Sequence, residues 1–82
     1  MSFQDEVMDL LKESCAKIFN VDAAALGSET NVKEDLHAKS VNIVQISAAI
    51  EDEYEVEVPY MELTKKKTLG DIAEFVDELM SM

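Results

Sequence analysis

The sequence predicts an all-α fold, a small four-helix bundle of three long helices and one short third helix, with a long loop after the first. Three observations carry that expectation. Apolar residues recur three and four positions apart in three separate stretches, the spacing that gathers side chains on one face of a helix. Strand-like alternation is confined to Val56-Glu57-Val58, and one such run without a partner cannot build a sheet. Pro59 stands between the second and last long stretches, where its ring and missing N–H stop a helix. Eighty-two residues suit a single domain, 1–82. So small a body buries only about 60–65% of its unfolded surface, so each apolar stripe must meet another.

The first helix is expected over Phe3 to Phe19, with Phe3, Val7, Leu10, Leu11, Ser14 and Ile18 on one stripe. Asp5 and Glu6 in its first turn and Lys17 near its end complement the helix dipole. Cys15, the lone cysteine, has no intramolecular disulfide partner and reads as a small core-edge residue in a reducing cytosol. From Asn20 to Lys39 the chain is a loop anchored by Val21, Leu26, Val32 and Leu36, with a brief turn at Asp22-Ala23-Ala24-Ala25. A pinned loop of this length is expected to let two long helices run nearly parallel instead of forming a tight hairpin. The second helix is placed from Ser40 to Tyr54 or Glu55, its stripe being Ile43, Val44, Ile46, Ser47, Ile50 and Tyr54. Pro59 holds Val58 out of helical geometry and starts one turn at Tyr60-Met61-Glu62-Leu63. The last helix runs from Leu69 to Leu79, with Leu69, Ile72, Ala73, Val76, Leu79 and Met80 inward. Thr68 and Asp71 form a capping box with the shorter acid.

The net charge of −11 speaks against nucleic acid, whose phosphates require a basic surface, and against anionic membrane surfaces. Neither a signal peptide nor a membrane span is read in the chain, so a cytoplasmic location is expected. Between Ser40 and Tyr60 lie five acids, Glu51, Asp52, Glu53, Glu55 and Glu57, and no base. Such a strip favours basic protein partners. Self-repulsion should loosen the fold at low salt, so added salt or divalent cations are expected to raise the melting temperature. No metal site is expected. His37 is a lone loop histidine, and Asp52-Glu53-Tyr54-Glu55 lacks the alternating oxygens and central glycine of a calcium loop, leaving weak surface ion association at most. With no glycine-rich phosphate loop and no supported Ser-His-Asp or Cys-His set, catalysis by this chain is not expected.

Ser40 stands where a polar loop gives way to the second helix. The first N–H groups of a helix lack intrahelical acceptors, and the summed peptide dipoles make that end partly positive. A serine there serves either as a plain N-cap, worth about 1 kcal/mol, or as the carrier of an attached phosphate, which the donors and the field both favour.

The order of the pieces is specific: an amphipathic helix, an anchored loop, Asp35-Leu36-His37-Ala38-Lys39-Ser40, a helix ending in Ile50-Glu51-Asp52-Glu53-Tyr54, then Val56-Glu57-Val58-Pro59 and Thr68-Leu69-Gly70-Asp71-Ile72. Over essentially its whole length the chain resembles an acyl carrier protein. The resemblance implies a four-helix carrier domain, a phosphopantetheine arm esterified to the serine that Ser40 matches, and cargo held on the arm's thiol as a thioester. It implies as partners a phosphopantetheinyl transferase and acyl-transferring or synthase enzymes with basic docking patches, the chain itself being a monomer and no enzyme. The second helix would be the docking surface, with Val41, Asn42, Gln45, Ala48, Glu51 and Asp52 as candidates and Lys39 as a candidate phosphate contact. Ala48 and Ala49 leave a groove open to a partner. Ser47 and Ala48 lower the bulk of a helix whose inner face would line an acyl-chain pocket.

The chain departs from the family pattern around the serine. Lys39-Ser40-Val41 replaces the usual Asp-Ser-Leu, His37 stands where glycine is often found, and Gln45 replaces a common glutamate. Lys66 occupies a position that is commonly apolar in the family. A solvated loop is expected there, with the apolar duty moved to Leu63 and Leu69. Lys65-Lys66-Lys67 would otherwise be a basic patch for an acidic partner or an anionic acyl group. Val41 gives a partner a shallower contact than leucine, and Lys39 meets a basic partner with like charge. These changes point to a specialised lipid or secondary-metabolite pathway. An unmodified adaptor of the same fold and an aminoacyl carrier are the alternatives. The absence of glycines before the serine favours the acyl side.

Overall fold

The computed structural model describes residues 2–81. The chain forms α1 (Phe3–Phe19), a 3-10 turn at Ala23–Ala25, α2 (Ser40–Tyr54), α3 (Tyr60–Leu63) and α4 (Leu69–Met80). Each start has a local cause. Ser2 and Asp5 close a capping box on α1, the Asp5 N–H donating to Ser2 Oγ at 3.2 Å and the Ser2 N–H to Asp5 Oδ2 at 3.1 Å. Asp22 caps the 3-10 turn by accepting the Ala24 N–H at 3.0 Å. Thr68 and Asp71 cap α4 reciprocally at 3.1 and 3.4 Å, as the sequence predicts.

α1 packs against α2 and α4, and α3 packs against α2. The Phe3 ring lies edge-on to Tyr54 with centroids 5.2 Å apart, and Gln4 Nε2 donates to Asp77 Oδ2 at 3.0 Å. The start of α1 therefore meets the ends of both α2 and α4, so both run in the opposite sense to α1. The expected near-parallel course of the first two helices is corrected. The loop does not cross the bundle; it covers the end where α1 finishes and α2 and α4 begin.

Backbone pairing fixes the loop there. The Val32 N–H donates to the Lys67 carbonyl at 2.9 Å, the Leu69 N–H to Thr30 at 3.1 Å and the Gly70 N–H to Ser28 at 2.9 Å. These bonds satisfy two of the first donors of α4. They also bring the backbone of Ser28 so close that a Cβ on Gly70 would lie 2.9 Å from its carbonyl oxygen. Leu26 and Val32 are buried beneath the loop, whereas Val21, an expected anchor, is 37% exposed.

The core joins Val7, Leu11 and Cys15 of α1 to Ile43, Ile46 and Ile50 of α2, to Leu63, and to Leu69, Ile72, Ala73, Phe75 and Val76 of α4. Three expectations are corrected here. Cys15 sits in the core and not at its edge, fully buried, while Ser14 is only half-buried. Phe75, absent from the predicted stripe, is buried. Val44, placed inward by the sequence, is 51% exposed. Val44 is three residues from Val41 and four from Ala48, and that spacing also fits a second face of the same helix. Val58 is held without any strand, its N–H donating to Glu51 Oε2 at 2.8 Å.

Candidate functional site

Ser40 is the first residue of α2 and is exposed. It is not the cap. Lys39 takes that position with φ −106° and ψ 173°, and its carbonyl accepts the Asn42 and Ile43 N–H groups at 2.9 and 3.1 Å. The Lys39 N–H in turn donates to Asn42 Oδ1 at 2.9 Å. The N-cap reading of Ser40 is thus replaced by a cap built from the Lys39 backbone and the Asn42 side chain. Among the described residues, no hydrogen bond engages the Ser40 hydroxyl or the N–H groups of Ser40 and Val41. The chain is steered into this start by His37, an exposed residue at φ 54°. For a residue with a Cβ that left-handed conformation costs about 1 kcal/mol, which gives a physical reason for glycine at the corresponding place in the resembled family.

From Ser40 an outward face continues along α2. Val41 is 60% exposed and Val44 51%, and Gln45, Ala48 and Asp52 are exposed with them. Two other predicted docking residues have internal partners. Asn42 is half-buried, and beyond its capping bond its Nδ2 donates to Gln45 Oε1 at 3.3 Å. Glu51 is half-buried and holds the Val58 N–H. Ser47 is buried, its hydroxyl donating to the Val44 carbonyl at 2.8 Å, whereas its neighbour Ala48 is exposed. Val44 and Met61, the latter 69% exposed on α3, were missed by the sequence reading. Their signal was there: Val44 repeats Val41 at helical spacing, and Met61 is two positions from the buried Leu63.

The electrostatics of this end are unusual for so acidic a chain. No acid occurs from Ser40 to Ile50. Lys39 is exposed, and the ion pair among the described residues is Lys17 with Glu13 at 3.5 Å. The other reactive-looking groups lie in the interior or at its margin. Burial pushes the Cys15 thiol up from 9.0 to about 11, so it stays protonated and inert. Burial and the nearby carboxylates of Glu6 and Glu53 raise the Tyr54 phenol. Among the described residues no group of three or more His, Cys, Asp or Glu could hold a metal ion, and no helix is long and apolar enough to cross a membrane. Leu63 and Leu69 are buried as expected, but Lys66 is not simply solvated: its Nζ lies 5.0 Å from the centroid of the Phe75 ring, covering the residue that the stripe had omitted.

The arrangement can present one hydroxyl, unencumbered, beside two open backbone donors at the positive end of a helix. A phosphodiester on Ser40 would meet those donors and the neighbouring Lys39, so the residues present fit an attached phosphopantetheine. The chain matches a family described as phosphopantetheine attachment site over residues 9–76. It is 35% identical over 81 residues to the acyl carrier proteins of Rickettsia typhi (strain ATCC VR-144 / Wilmington) and Rickettsia prowazekii (strain Madrid E), covering 99% of this chain and 94% of each relative. It is 33% identical over 73 residues to the acyl carrier protein of Lactobacillus acidophilus (strain ATCC 700396 / NCK56 / N2 / NCFM), covering 89% of this chain and 91% of that protein.

Proposed function

The chain belongs to the acyl carrier protein family, and from that premise we propose that Ser40 bears the arm and that α2 presents it to partner enzymes through a largely uncharged face. As a family member the chain is a carrier and not an enzyme, phosphopantetheine is its covalent prosthetic group, and it works with a phosphopantetheinyl transferase and partner synthases or transferases. The observation that carries the assignment to Ser40 is that it is exposed at the first position of α2, its hydroxyl without a hydrogen bond among the described residues. When bound, the arm supplies a thiol on which cargo rides as a thioester. The chain's own residues do the rest. The Ser40 and Val41 N–H groups and Lys39 hold the phosphate, each exposed charge contact adding a fraction of 1 kcal/mol to about 1 kcal/mol. Val41, Val44 and Ala48 give a partner an apolar landing strip, and Gln45 and Asp52 supply its polar margin.

The carrier is read as serving a specialised lipid or secondary-metabolite pathway in the cytoplasm. A lysine before Ser40 and an acid-free stretch to Ile50 support that reading, because a partner tuned to acids beside the serine would find none. The test is intact mass after incubation with coenzyme A and a broad-specificity phosphopantetheinyl transferase, beside a Ser40→Ala control. One arm gained by the wild type alone is the expected result. No gain with that transferase or with those of the source organism would move the reading to an unmodified adaptor.

A further inference from the structure

We propose that the groove between the turn at Asn31–Glu34 and the segment Thr64–Lys67 is a docking cleft for an acidic segment of a partner protein. Lys33, Lys65, Lys66 and Lys67 line it together with Asn31, Thr64 and a single acid, Glu34. Four of the chain's seven basic residues therefore converge on one groove of a molecule with net charge −11. The fold holds them there. Lys33 Nζ donates to the Thr64 carbonyl at 2.8 Å, the Val32 N–H donates to the Lys67 carbonyl at 2.9 Å, and Lys66 rests on the Phe75 ring.

Among the described residues, none of these ammonium groups lies within ion-pair distance of a carboxylate. The acids Asp71, Glu74 and Glu78 share an adjoining groove with Lys65–Lys67 and still do not close on them. Like charges gathered without a carboxylate partner repel, and an entering anion relieves that repulsion. The shape of the charge distribution selects the anion. A broad anionic surface, such as a membrane or a nucleic acid, would also face the acids that dominate the rest of the molecule. A narrow acidic segment meets four lysines against the single acid that lines the groove, Glu34, and the acids on the far side of the molecule are screened beyond about 8–10 Å at physiological salt. The groove contains neither Ser40 nor any residue of α2, so it adds a second contact of opposite sign to the acids at Glu51–Glu57. A partner must match both, which sharpens discrimination between partners.

The test is an NMR titration of the isotopically labelled full chain with a synthetic hexaglutamate peptide, at low and high salt. The largest amide shifts are expected at Lys33, Glu34 and Thr64–Lys67, disappearing at high salt and unchanged in Ser40→Ala. Affinity should fall about tenfold in Lys33→Gln/Lys65→Gln/Lys67→Gln. The pair Lys65→Gln/Lys67→Gln, which leaves the Lys33 bond to Thr64 in place, serves as a second variant and should lose several-fold. Lys12→Gln/Lys17→Gln should bind as the wild type does. Shifts that are absent or centred elsewhere, equal binding by the lysine variants, or engagement of phosphatidylglycerol vesicles through these lysines without binding of the peptide would overturn the proposal.

Discussion

α2 and α4 begin at the same end of the bundle and begin differently. The first donors of α4 are closed off, the Leu69 and Gly70 N–H groups bonding to the Thr30 and Ser28 carbonyls. Those of α2, at Ser40 and Val41, meet no acceptor among the described residues. The faces differ in the same way. α4 buries Leu69, Ile72, Ala73, Phe75 and Val76 and leaves Met80, at its last turn, 41% exposed, whereas α2 turns Val41 and Val44 outward. Packing accounts for the apolar residues of α4 from Leu69 to Val76. It accounts for only the inner half of α2, and the unpacked half starts at Ser40, the serine proposed above to carry the arm.

The largest effect should come from the packed side. Ile72→Ala is expected to cost about 2–5 kcal/mol, as buried isoleucines usually do, read from urea unfolding midpoints. A cost below about 1 kcal/mol would mean that α4 is not the closed helix described. Alkaline pH probes the same interior. Below about pH 9 the Cys15 thiol is protonated in both folded and unfolded chains, and its contribution is whole. Between 9.0 and about 11 the unfolded chain releases the proton first, so stability should fall by about 2–3 kcal/mol as pH rises. Tyr54, also raised, adds a loss of the same sign. Unfolding midpoints measured across that range, beside Cys15→Ala, should show a shallower decline in the variant.

Much of this contrast was legible in the sequence, and what was not has identifiable causes. The helix starts at Phe3, Ser40, Tyr60 and Leu69 follow from periodicity, Pro59 and the Thr68–Asp71 box, all local signals. The sense of α1 relative to α2 depends on contacts such as Phe3 with Tyr54, which lie far apart in sequence. Val44 was misplaced because three- and four-residue spacings let one valine belong to either of two faces. Phe75 was missed because its cover is a lysine, Lys66, arriving from a loop. The cap at Lys39 was hidden because lysine has no accepting side chain: the Asn42 oxygen, three residues on, does the capping.

Two smaller effects separate the helix starts themselves. Gly70→Ala would press a Cβ against the Ser28 carbonyl and loosen the loop from α4. A loss of about 1–2 kcal/mol is expected, with faster exchange of the backbone amide at position 70; neutrality would show that the loop yields without cost. The smallest effect on stability belongs to the open helix. Val41→Ser with Val44→Ser should change stability by no more than about 0.5 kcal/mol while reducing the efficiency with which a phosphopantetheinyl transferase uses the chain. Unchanged transferase efficiency would remove the outward valines from the docking surface.

If the open start of α2 is the attachment site, fragmentation mass spectrometry of the chain purified from its own cells will find the arm there. Ser2, Ser14, Ser28, Ser40, Ser47 and Ser81 are the possible carriers. The account requires the phosphopantetheine mass on the peptide containing Ser40 and on no other. An arm mapped to a different serine, or a chain that carries none, would contradict it.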